Sequence, residues 1–142
     1  MIRELHSRLR SIDIDGLKEE AIWINRDAII KANQSQLHLG ETSTGGVITP
    51  LYRSRSYAEF KSLLSSYDAP NYTPDLYLTG DFYKSMQLEV GGGEWDIYSD
   101  DNKARDLQLK YKDIFGLDED NLQKIRELVT KTFVTLLKQK LN

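Results

Sequence analysis

Apolar residues in the first third of the chain follow a helical period. Leu17, Ala21, Ile24 and Ala28 recur at spacings of four, three and four, and Ile22 and Ile29 widen the stripe. Asp15 precedes the stripe and suits an N-cap, because its carboxylate can accept from the first free backbone N–H groups. Glu19 and Glu20 then suit the helix's positive end. The long helix is expected to run to about Gln36, where Gly40 and the Glu41–Gly46 stretch supply turn chemistry. A shorter helix is predicted over Ile2–Arg10, with Leu5 and Leu9 at i, i+4 and a break at Ser11-Ile12-Asp13.

The middle of the chain changes period. Val47-Ile48-Thr49-Pro50 reads as a short extended piece at an edge. Over Ser54–Ser66, Tyr57, Phe60, Leu63 and Leu64 sit at helical spacing, with Ser54 or Ser56 as cap, and Asp68–Pro74 reads as a loop. Thr79 or Asp81 is expected to cap one or two turns over Phe82–Ser85. Met86, Leu88 and Val90 then alternate with Gln87 and Glu89; after Gly91-Gly92-Gly93, Trp95 and Ile97 alternate with Asp96 and Tyr98. Two period-2 runs around a glycine turn predict a β-hairpin over Met86–Ser99.

Asp100–Tyr111 reads as a charged helix with Ala104, Leu107 and Tyr111 on one side, and Ile114-Phe115-Gly116-Leu117 as an apolar connection. Asp118 is expected to cap a final helix whose buried stripe is Leu122, Ile125, Val129, Phe133, Leu136 and Leu137. No repeat, low-complexity tract or linker divides the sequence. The expectation is a single α+β domain over 1–142: N-terminal helices at 2–36, a central loop, helix and hairpin at 37–99, and C-terminal helices at 100–142.

Composition narrows the classes. A chain of 142 residues, 39% of them hydrophobic, can form a core without staples, and 29% charged residues is ordinary for a globular domain. The absence of cysteine removes disulfides and thiolate chemistry. No apolar run approaches the ~20 residues of a membrane span, and the N-terminal residues lack a signal peptide's apolar stretch, so a soluble protein not secreted by the usual route is expected. The net charge of −3 argues against a whole-surface polyanion binder. It is unevenly spread: acids gather around residues 94–106 and at the start of the last helix. From Leu122 onward Lys124, Arg126, Lys131, Lys138 and Lys140 oppose only Glu127.

Catalytic patterns are sparse. His6 and His38 fall on different predicted helices with no HExxH or His-x-His spacing. The Gly91–Gly93 run has strand-like flanks, so a hairpin turn explains it better than a phosphate loop. Asp96, Asp100, Asp101 and Asp106 form an acidic cluster that a Mg²⁺-dependent nuclease or phosphate-handling enzyme would use, but the Ca²⁺-loop pattern is missing and Asp100 and Asp101 suit helix capping. The face carrying Lys131, Lys138 and Lys140 would serve a nucleic-acid adaptor, yet no aromatic residues interleave with it. Six of the eight tyrosines, Tyr52, Tyr57, Tyr67, Tyr72, Tyr77 and Tyr83, fall between 52 and 83, as half-buried residues with wet hydroxyls or as an interaction surface.

An ordered series of short motifs carries a resemblance. Gln36-Leu37, Gly40, Gly45 or Gly46, and Ile48-Thr49-Pro50 are followed by Tyr57-Ala58-Glu59-Phe60-Lys61. Leu76, Thr79, Gly80, Phe82 and Ser85 then fit an L-x-x-T-G-x-L-x-x-S pattern, and the Met86–Ser99 hairpin follows. The series resembles tailed-phage virion-morphogenesis proteins of the tail-completion and head–tail neck group, over about residues 30–100. The family's Tyr-Ala…His…Gly segment after the hairpin is replaced here by Tyr98-Ser99-Asp100-Asp101-Asn102-Lys103, and the extended C-terminal helix has no counterpart in the pattern.

The resemblance implies a non-enzymatic structural protein of the virion, present in the host cytoplasm during assembly and needing no cofactor or metal. It implies a homo-oligomeric ring touching portal, connector or tail-tube proteins, with no membrane and no direct nucleic-acid contact expected. The candidate interface residues are Tyr57, Thr79, Gly80, Asp81, Phe82, Tyr83, Trp95, Tyr98, Lys138 and Lys140.

Overall fold

Caps and turns set the elements. The structure, a computed structural model, describes residues 1–52, 54–63, 67, 69, 73–77 and 80–142. The first helix, α1, spans Ile2–Ser11. Asp13, rather than Asp15, caps the next helix: its Oδ1 accepts from the Gly16 N–H at 3.0 Å. Asp15 lies inside the first turn, where its charge still suits the helix dipole.

The continuous helix expected to Gln36 is divided at Asn25 into α2, Ile14–Ile24, and α3, Arg26–His38. The Asn25 amide donates to the Ala21 carbonyl at 2.8 Å and to the Thr132 Oγ1 at 2.9 Å. A side chain that binds its own preceding turn competes with the backbone ladder, and Asn25 leaves the helical region at φ −94°, ψ 13°. The division turns Ile24 to solvent, 51% exposed, while Leu17, Ala21, Ile22 and Ile29 remain buried as the period predicts.

Past α3 the chain makes an isolated antiparallel bridge between Glu41 and Val47 and buries Ile48 completely. Ser54 caps α4, Arg55–Ser62, by accepting from the Tyr57 N–H at 3.2 Å. The single turn α5, Asp81–Lys84, begins from Gly80 with a left-handed φ of 87° and has no side-chain cap. Asp81 therefore does not serve as the expected N-cap, because it already lies within the turn; Thr79 lies outside the described residues.

The hairpin forms where the alternation places it. Strand β1, Met86–Gly91, pairs antiparallel with β2, Glu94–Ser99, in the register Met86↔Ser99, Leu88↔Ile97, Val90↔Trp95. Met86, Leu88 and Ile97 face the core while Gln87, Glu89 and Asp96 face solvent. A lone hairpin is marginal in water; this one rests against α2 and α3.

Asp101 caps α6, Asn102–Lys110, and Asp118 caps α7, Glu119–Leu141. The long α7 packs beside α2, with Ile125 buried and Leu122, Val129, Phe133, Leu136 and Leu137 partly buried. Two buried amides join α3 to the connection before α7. Asn33 donates to the Ile114 carbonyl and accepts from the Gly116 N–H. Gln36 donates to the Gly116 carbonyl and accepts from the Asp118 N–H and the Asn121 amide. The architecture is α+β, with helices around a two-stranded antiparallel sheet. Among the described residues, no helix is long and apolar enough to cross a membrane.

Candidate functional site

Helix α4 turns its spaced apolar residues outward. Tyr57, Phe60 and Leu63, the apolar residues at helical spacing, are 40%, 51% and 85% exposed, so the candidate interface residue Tyr57 stands at the surface. The side chains that point inward are Ala58 and Lys61, and Lys61 is 1% exposed. The reason is a buried ion pair. The Lys61 Nζ lies 2.8 Å from the Asp75 Oδ1, and Asp75 is fully buried. The same ammonium donates to the Tyr77 carbonyl and lies 5.6 Å from the centre of the Tyr67 ring. A charge this deep is stable only when paired and hydrogen-bonded, so Lys61 and Asp75 set the rotation of α4.

Tyrosines complete the latch. The Asp75 Oδ1 accepts from the Tyr77 N–H at 3.1 Å and, at the long limit of 3.5 Å, from the Tyr52 hydroxyl. The Tyr83 hydroxyl donates to the Asp75 carbonyl, and that of Tyr67 to the Thr73 carbonyl. His38 packs its ring against Tyr77 and Tyr83, at 5.2 and 4.7 Å between centroids. The Asp75 Oδ2 and the His38 Nδ1 are buried without a protein partner. Burial first, and then the Asp75 charge, push the Tyr52 and Tyr83 hydroxyls well above the ordinary tyrosine range. Both therefore act as protonated donors.

The aromatic side chains continue outward. Tyr52 meets Tyr57 edge-on at 5.1 Å, and Tyr57 meets Phe60 at 6.4 Å. Beside them Pro50, Leu51, Ser54 and Tyr111 line a cleft of about 330 Å³. The tyrosine-rich stretch thus divides: Tyr52, Tyr67, Tyr77 and Tyr83 serve the latch, Tyr57 faces solvent, and Tyr72 lies outside the described residues.

The other sequence-derived candidates are scattered. Phe82 and Tyr83 belong to the core, at 7% and 5% exposure, because α5 lies over it; neither offers its ring at the surface. Gly80 is buried and Asp81 is exposed. Trp95 is half-buried in a cleft beside α7, and Tyr98 is on the solvent side of the hairpin, donating to the Gln87 amide oxygen. Lys138 and Lys140 are exposed on the last turns of α7.

The four aspartates do not converge. Asp100 accepts from the Gln87 amide, Asp101 caps α6, and Asp96 and Asp106 face solvent. Among the described residues no three His, Cys, Asp or Glu side chains are placed to hold a metal ion. His6 is exposed on α1.

Lys61 and Asp75 were missed by sequence reasoning. The available signal was the i, i+3 pairing of Ala58 with Lys61 on one face of a helix whose opposite face is apolar. No family model, curated protein or solved structure matches the chain.

Proposed function

We propose that this protein is a non-enzymatic structural subunit of a tailed-phage virion. In this reading it sits at the head–tail neck or upper tail and forms a homo-oligomeric ring that contacts portal, connector or tail-tube proteins. The observation that carries the reading is the outward face of α4. Tyr57, Phe60 and Leu63 stand exposed at i, i+3 and i+6 on a helix held from behind by a buried ion pair. Exposed apolar patches of this kind mark contact surfaces, and tyrosine and phenylalanine are enriched at them. The ordered motifs over residues 30–100 supply the particle class.

The test is made on the particle. Native mass spectrometry and cryo-EM of purified virions are expected to find wild-type copies at the neck or upper tail. Phe60→Asp/Leu63→Asp chains are expected to fold normally and be lost from particles. Virions that contain no copies of the wild-type protein would overturn the proposal.

A further inference from the structure

Helix α1 packs on α7 and still presents a partly exposed apolar stripe. Ile2, Leu5 and Leu9 recur at i, i+3 and i+7 and are 74%, 45% and 41% exposed, and no α1 residue is buried. A helix of 10 residues is marginal in water unless its apolar side is covered. Arg8 ties α1 to the end of α7 by donating to the Leu141 carbonyl at 2.8 Å. Helix α1 is itself basic: Arg3, Arg8 and Arg10 oppose Glu4, a formal +2.

The same chain offers a cleft of opposite character. A groove of about 350 Å³ on α2 and β1 is lined by Gly16, Glu19, Glu20, Trp23 and Val90. Trp23 is 49% exposed, with the Arg26 guanidinium 4.7 Å from the centre of its ring. Glu19 accepts from the Gly92 N–H at 3.0 Å, which fixes the hairpin turn beside α2.

We infer that the basic amphipathic α1 of one copy docks into the acidic Trp23 cleft of a second copy. The inference rests on the homo-oligomeric reading above and names its contact. Apolar side chains meet apolar side chains while Arg3 and Arg10 meet Glu19 and Glu20, a complementarity that favours this pairing of surfaces. Duplex DNA would satisfy the arginines and leave Ile2, Leu5 and Leu9 uncovered. An anionic membrane would cover that stripe and leave the Trp23 cleft open. Two different patches make a heterologous contact, which repeats head to tail.

The absence of cysteine makes engineered thiols unique. Full-length Leu5→Cys and Trp23→Cys chains, mixed and oxidised at high protein concentration and low salt, are expected to form the mixed disulfide in preference to either homodimer. Equal yields of all pairings, or no crosslink, would overturn the inference. In sedimentation velocity, Arg3→Glu/Arg10→Glu and Glu20→Lys chains are each expected to lose about tenfold or more in self-association, and mixing them to restore it. A wild-type chain that stays monomeric, or that instead binds duplex DNA or phosphatidylserine vesicles, overturns the docking. The virion reading stands or falls separately, on copies found in particles.

Discussion

At the scale of single residues, Lys61 and Asp75 dominate. Both are almost completely buried, so removing either leaves the other as an unpaired charge in the core. Lys61→Met is expected to destabilise by about 3–5 kcal/mol, and Asp75→Asn to cost a comparable amount. The double variant should lose less than the sum, since no buried charge is then stranded; urea denaturation of the three chains measures this coupling. The tyrosines give a second prediction. The folded-state pKa values of Tyr52 and Tyr83 are raised above those of unfolded tyrosine, so the native state holds protons that the unfolded chain releases above about pH 10. Their contribution is fully present below that pH and is lost as pH rises further. Thermal melts taken through the alkaline range should show falling stability, with a shallower fall in Tyr83→Phe.

At the scale of elements, turns and helix rotation are set by different forces. Gly93 closes the hairpin at φ 76° with nothing within 4 Å of an added Cβ, so Gly93→Ala should cost only the backbone strain, about 1–2 kcal/mol. Gly40 has φ 72°, and an added Cβ would also lie 2.5 Å from the Thr73 Cγ2. Gly40→Ala should therefore be clearly the worse of the two in chemical denaturation. Helix α4 illustrates the opposite case, in which side chains rather than backbone decide. Its outward Phe60 makes no core contact, so Phe60→Asp should leave the unfolding free energy within about 0.5 kcal/mol while removing the exposed aromatic surface.

At the scale of the whole molecule, charge and burial are both uneven. Helix α1 buries none of its residues within the chain, whereas the core joins α2, α3, the hairpin and α7. Deleting residues 1–12 should therefore lower the melting temperature by no more than a few degrees and abolish self-association. Calorimetry and sedimentation on the same truncated chain separate these two effects. The half-buried stripe of α7 is consistent with its position: it packs α2 on one side, while Leu128 and Val134 remain 43% and 39% exposed.

The sequence by itself determined the elements that local signals mark. Alternation around Gly91–Gly93 marked the hairpin, and Asp118 and the 3.6-residue stripe marked α7, because these signals are local: a cap, a turn or a repeat is readable from its neighbours in the chain. It did not determine which way α4 faces, where the long N-terminal helix divides, or that Phe82 and Tyr83 enter the core. Those outcomes depend on partners distant in sequence. Asp75 lies 14 residues beyond Lys61, and Thr132 lies 107 beyond Asn25. A buried charge needs its counter-charge more than a half-buried tyrosine needs the core. Only the tertiary structure, which brings Lys61 to Asp75, could decide that the apolar side of α4 is the side left for a partner.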